Sequence, residues 1–260
     1  MKLHFEILGQ GEPLIVMHGM FGSLENLGAV CRILADHYCL YRVDLRNHGR
    51  SPHASTMTFA EMADDIVELM DSQNLAKANI LGHSLGGKVA MELAWSHPER
   101  VNKIIVADIA PVSYPQHHNA ILDAFAKISL AEVKSRKDAD TLLSEYVEEL
   151  GVRQFILKNL ARDENQNYYW RLNVPAIIEN YDSLRLAIGE SDGGERTVSC
   201  SVPTLFIRGE KSNYIQERNY QEIHTKFSNA KIDTILGASH WLHAEEPEQF
   251  SNLVIEFLQS

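Results

Sequence analysis

Asn79-Ile80-Leu81-Gly82-His83-Ser84-Leu85-Gly86-Gly87 is the stretch from which the fold can be read. Its first three residues form a short β-rich run. The residues from Leu85 to Ser96 carry a helical pattern, stopped by His97-Pro98. The chain must therefore reverse sharply between strand and helix, which forces the apical residue into an unfavourable conformation. Only small neighbours leave room for that turn, and glycines stand two before and two after Ser84. The turn lifts the Ser84 hydroxyl above the strand ends, at a helix N-terminus whose N–H groups point at incoming negative charge. The same five-residue pattern can arise by chance as a glycine-rich turn around an incidental serine. Its strand–turn–helix setting argues for the nucleophile reading.

Working outward, short apolar runs alternate with helical patterns. Strands are expected at residues 3–8, Leu14–Met17, Tyr38–Val43, Val101–Ile109, Thr204–Ile207 and Ile232–Leu236. The last three lack a polar face, as strands buried on both faces should. A helix is expected over about 25–36. A second runs from Thr58 to Gln73, opened by a Thr58/Glu61 capping box and striped by Phe59, Met62, Ala63, Ile66, Leu69 and Met70. The last begins near Pro247. This alternation predicts an α/β fold with a mostly parallel central sheet flanked by helices. From Pro111 to about Arg196 the rhythm breaks, with no convincing strand. Helical patterns lie at Ala120–Leu130, Ala139–Leu150, Val152–Ala161 and Val174–Ile188. Residues 112–196 are therefore expected to form an inserted helical cap over a core of 1–111 and 197–260. The cap would cover the strand ends, where ligands bind in open α/β sheets.

A serine hydroxyl needs a base to take its proton. On scaffolds that present the nucleophile this way, the acid and then the base follow in chain order, the base lying after the last strand. Of twelve histidines, His240 in Gly237-Ala238-Ser239-His240-Trp241 occupies that place, and His243 ranks second. His83 adjoins the serine and is expected to pack or hydrogen-bond. His18, His48, His53 and the His117-His118 pair lack metal-ligand spacing and read as structural. The usual place of the acid follows Thr204–Ile207, where Ser212 stands in the position expected for an aspartate. Asp108 ends the preceding strand and could hold the imidazole tautomer that leaves Nε2 free for Ser84. The competing reading of Asp108 is a strand-end cap before Pro111. Glu210 is the alternative acid.

Acyl transfer also needs donors for the developing alkoxide. His18-Gly19-Met20-Phe21-Gly22 follows a buried strand and could supply one. Met20 N–H is assigned ahead of Phe21, with Leu85 N–H as the second. Phe21 and Trp241 are the candidate substrate-binding side chains.

The formal net charge of −11 speaks against general nucleic-acid or anionic-membrane binding. Cys31, Cys39 and Cys200 fit neither a zinc site nor a redox pair and read as free thiols. No segment has the pattern of a secretory signal or a membrane span, so a cytoplasmic protein is expected. No metal or organic cofactor is required by this chemistry. Oligomeric state is left at monomer or homodimer. In residues 112–196, Arg153, Lys158, Arg162 and Arg171 suggest a local phosphate-binding face, against the plainer reading of a solvated helix surface. Tyr168-Tyr169-Trp170 reads as cap-to-core packing ahead of an acyl-pocket wall.

With these residues assembled, the chain resembles the α/β-hydrolase superfamily over nearly its whole length. Within it, the chain is most similar to small bacterial YbfF-type esterases. The stretches that carry this are HGMFGSLENLG (18–28), DLRNHGRSP (44–52), GHSLGGKVA (82–90), ADIAPVSY (107–114) and GASHWLHAEEP (237–247). The resemblance implies a serine esterase with a helical cap, acting on small esters and possibly acyl-CoA thioesters, and it favours Asp108 as the acid. A carbon–carbon bond hydrolase and a cofactor-free perhydrolase or haloperoxidase would use the same three side chains. A non-catalytic binding protein is disfavoured because Ser84 and His240 are both present.

Overall fold

The computed structural model describes residues 1–189 and 199–260. Its elements in chain order begin with β1 (Phe5–Leu8), β2 (Glu12–Met17), α1 (Gly28–Leu34), β3 (Tyr38–Val43) and α2 (Phe59–Ser72). There follow β4 (Ala78–His83), α3 (Leu85–Ser96), β5 (Val101–Ala107), α4 (Asn119–Lys127), α5 (Arg136–Ser144) and α6 (Leu150–Leu157). The chain continues through β6 (Leu160–Arg162), β7 (Tyr168–Trp170), α7 (Val174–Leu184), β8 (Thr204–Gly209) and α8 (Tyr220–Lys226). It ends with β9 (Ala230–Ile235), α9 (Leu242–Glu245) and α10 (Pro247–Gln259).

Among the described residues, seven strands form one sheet in the order β1-β3-β2-β4-β5-β8-β9. Only β1 runs antiparallel to its neighbour. Alternate residues of the inner strands feed two separate cores. Ile15, Met17, Ile80, Ile104, Val106 and Phe206 face one side with α2 and α3. Leu14, Val16, Leu81, Ile105, Leu205 and Ile207 face the other, against α1 and α10. A parallel strand covered on both faces is apolar over most of its length, which explains the near-continuous hydrophobic runs. Helix α2 begins as its sequence predicts. Thr58 Oγ1 accepts from Glu61 N at 3.2 Å and Glu61 Oε2 accepts from Thr58 N at 2.9 Å, a cap worth about 1 kcal/mol.

Three expectations need correction here. Strand β9 is not buried on both faces: it lies at a sheet edge, and from Ala230 to Thr234 its residues alternate between half-buried and exposed before buried Ile235. Residues 112–189 are not purely helical, since β6 and β7 form an antiparallel hairpin pairing Leu160 with Trp170. The helix foreseen over Ala139–Leu150 also breaks, α5 ending at Ser144 and α6 starting at Leu150. The proposed end of the insertion, at residue 196, lies outside the described residues.

The chain leaves β2 for β3 on one side and then returns to β4 on the other, so β2 and β4 flank the switch point of the sheet. Ligands bind at the carboxyl ends of strands beside such a point. Residues 159–173 contact the loops at that edge. Asn159 Nδ2 donates to Phe21 O at 2.6 Å, Asn173 N donates to Asn47 O at 2.9 Å, and Arg171 pairs with Glu25 at 3.2 Å.

Candidate active site

Ser84 stands on the turn between β4 and α3 with φ 52° and ψ −112°. A non-glycine residue held there costs on the order of 1–3 kcal/mol, offset by the surrounding structure. That surrounding is tight. A Cβ on Gly82 would lie 2.0 Å from Gly86 O, and one on Gly86 would lie 2.6 Å from Met17 O. Both glycines are required by close backbone approach. Ser84 N donates to Ala107 O at 2.9 Å and Gly86 N to His18 O at 3.1 Å, which ties the elbow to the neighbouring strand ends.

Asp108 follows β5, fully buried and at φ 51°. His240 lies in the loop after β9, and its Nδ1 donates to Asp108 Oδ2 at 2.7 Å. The same oxygen accepts from Ser212 Oγ, while Oδ1 accepts from Gly209 N at 3.1 Å. The buried carboxylate thus has three protein donors, and the imidazole keeps Nε2 free of that contact. Glu210 is directed elsewhere: its Oε2 accepts from Gly237 N at 2.7 Å. His243 is buried beneath the site, its ring centroid 4.3 Å from that of His83, and desolvation pushes its pKa down to about 3. His83 is held well below the ordinary histidine value, first by burial, and its Nε2 donates to His240 O at 2.9 Å.

The loop after β2 is built on two buried neutral imidazoles. His18 Nδ1 donates to Gly19 O at 2.8 Å while its Nε2 accepts from Leu45 N at 3.1 Å. His48 Nδ1 donates to Arg46 O at 2.9 Å and its Nε2 accepts from Phe21 N at 3.2 Å. Burial lowers the two pKa values to about 4 and about 3, so each ring can both donate and accept. Phe21 N–H is therefore engaged, whereas the N–H groups of Met20 and Leu85 have no acceptor among the described residues.

Ser84 and His240 line one cleft of about 530 Å³, together with Met20, Phe21 and Trp241. His117 and His118, read as structural from the sequence, also line it. Glu148 and Glu149 stand at the same cleft. Of the four basic residues singled out between 153 and 171, the three arginines do not form an open face: Arg153 pairs with Asp140 at 2.9 Å, Arg171 with Glu25, and Arg162 donates to Tyr168 Oη at 2.8 Å, while Lys158 is exposed. Tyr168-Tyr169-Trp170 lies outside the cleft, with Trp170 packed edge-on against Phe125 at 5.0 Å. Chemically, the arrangement joins a hydroxyl on a forced turn, a carboxylate-held imidazole and two free backbone donors.

An α/β-hydrolase-fold family model matches residues 12–247, most of the chain. The chain belongs to the α/β-hydrolase family. This α/β-hydrolase is 35% identical over 247 residues to the esterase YbfF of Escherichia coli, covering 95% of this chain and 92% of that protein. It is also 35% identical over 263 residues to an sn-1-specific diacylglycerol lipase of Danio rerio, covering 98% of this chain and 81% of the lipase. A solved marine microorganism esterase superposes with a TM-score of 0.94 at 41% identity, covering 98% of this chain and 99% of its own. The chain is a hydrolase of this fold.

Two side chains at the site escaped sequence reading. Ser212 looks there like a lost acid, yet its hydroxyl reaches Asp108 across 104 positions. Tyr214 stacks on the His240 ring, centroids 3.9 Å apart and planes within 20°. Only the offset from β8 hints at the first, and nothing local marks the second.

Proposed function

We propose that this hydrolase is a serine esterase working through an acyl-enzyme, with Ser84 as nucleophile, His240 as general base and acid, and Asp108 as the carboxylate that orients it. The observation that carries this reading is the 2.7 Å contact between His240 Nδ1 and buried Asp108, in a loop that brings His240 into the cleft of Ser84. His240 takes the Ser84 proton as Oγ attacks the ester carbonyl, and the oxyanion rests on Met20 and Leu85 N–H. The imidazolium then protonates the leaving alcohol. Water, deprotonated by His240, releases the acid and restores the serine.

Phe21 and Trp241 form the substrate-facing walls, and the described part of the insertion, residues 112–189, acts as a cap that shuts water from the reacting carbonyl. Small neutral esters fit better than acyl-CoA. The cap arginines turn to acidic or polar partners, and Glu148 and Glu149 would repel the phosphates of a CoA group. Free Cys31, Cys39 and Cys200 suit a reducing compartment such as the cytoplasm. Among the described residues, no helix is long and apolar enough to cross a membrane.

Hydrolysis of p-nitrophenyl acetate by wild type, Ser84→Ala and Asp108→Asn tests this directly. Both variants should lose kcat by about a thousandfold or more. Wild-type turnover in Ser84→Ala would remove the nucleophile, and with it the mechanism.

A further inference from the structure

Two cavities meet at Ser84, and they differ greatly in size. The cleft that contains His240 and Trp241 measures about 530 Å³. A second cavity of about 30 Å³ touches Ser84, Met20 and Leu85, and His240 is not among its lining residues. On that side the cavity meets Tyr214, whose ring is stacked on His240. A leaving alcohol must take its proton from His240, so it has to depart through the large cleft. The acyl group is fixed by its bond to Ser84 and by an oxyanion on Met20 and Leu85, all of which border the small cavity.

We propose that this enzyme is specific for short-acyl esters of bulky alcohols, the acyl group being acetyl or propionyl, with Tyr181 and Leu184 setting the limit. The proposal rests on the serine esterase reading and adds to it which half of the ester goes where. One water needs roughly 10–15 Å³ of such space, so the small cavity holds about two groups of that size beyond the carbonyl carbon. Its walls are not free to yield. Tyr181 and Leu184 are both 4% exposed and lie one turn apart on α7. Tyr181 Oη accepts from His117 N at 3.3 Å and from His118 N at 3.2 Å. The charged heads at this cavity are turned onto backbone: Lys88 Nζ donates to Val112 O and Leu186 O at 2.7 and 2.8 Å, and Arg185 donates to Tyr114 O at 3.2 Å. Their stems complete an apolar wall beside Leu85 and Ile109.

A pair of isomeric esters separates acyl size from overall hydrophobicity. Hexyl acetate and ethyl hexanoate have the same formula, with the long chain on opposite sides of the ester oxygen. Measured by acid release in a pH-stat, kcat/KM should favour hexyl acetate by about tenfold or more. Leu184→Ala and, independently, Tyr181→Leu should shrink that ratio several-fold by raising the hexanoate rate. Equal rates for the two isomers in wild type, or preference for ethyl hexanoate, overturn the proposal. A ratio unchanged in both folded variants removes these two residues as its cause. If neither isomer is hydrolysed in a Ser84-dependent way, the esterase reading itself fails.

Discussion

Ser212 donates its hydroxyl hydrogen bond to Asp108 Oδ2, the same oxygen that His240 Nδ1 meets at 2.7 Å. A residue following β8 thereby supports a carboxylate that follows β5, and the imidazole is held by both strand ends together. Ser212→Ala removes one of three donors to a buried anion while leaving the carboxylate in place. Hydrogen bonds to charged groups contribute about 1.5–3 kcal/mol. In steady-state ester hydrolysis, kcat should therefore fall by about ten- to a hundredfold, with KM little changed. Glu210→Gln, whose carboxylate bonds Gly237 N instead, should keep kcat within about twofold.

Tyr214 covers one face of the imidazole. Its ring stacks on His240, and its hydroxyl is 2.5 Å from His117 Nε2. Tyr214→Phe keeps the stack and loses only the hydroxyl link, so kcat should change by no more than about threefold. Tyr214→Ala removes the stacked ring, a contact worth about 0.5–1.5 kcal/mol beyond its buried area, and should lower kcat by about tenfold. Equal losses in both variants would assign the effect to the hydroxyl.

Stability should drop in mild acid. His18, His48 and His243 are buried with pKa values lowered to about 4, 3 and 3, chiefly by desolvation. In the unfolded chain each binds a proton below its ordinary value of 6.5, whereas the folded protein does not. Stability from these groups is complete above pH 6.5 and is lost as pH falls towards the folded values. Each adds up to about 1.4 kcal/mol per pH unit in that window. Urea midpoints measured at pH 7.5 and pH 5.0 should show a clear fall. His243→Gln, which has no proton to take up, should show a shallower one.

The elbow was legible because Gly82 and Gly86 punctuate a strand–helix junction, where an added Cβ would lie 2.0 and 2.6 Å from backbone oxygens and leaves no alternative residue. The apolar runs of β2, β4, β5 and β8 were legible because burial on both faces leaves few polar positions. Strand β9 was also expected, at Ile232–Leu236, but its place at a sheet edge was not legible, although Lys231 and Asp233 are exposed. The β6–β7 hairpin was missed because three-residue strands are too short to show a period of two. The basic residues between 153 and 171 looked like a shared face, but charge along a sequence does not say which carboxylate each will meet. His117 and His118 entered the cleft wall through a loop path that no local pattern encodes.

The central claim is that Ser84 carries the acyl group. Diethyl p-nitrophenyl phosphate tests it, because an activated serine displaces p-nitrophenolate and keeps the phosphoryl group. Wild type should release one equivalent of p-nitrophenolate, lose its esterase activity, and carry a single diethylphosphoryl adduct on Ser84, located by peptide mass spectrometry. An adduct on another residue, or full ester hydrolysis by Ser84→Ala, would contradict it.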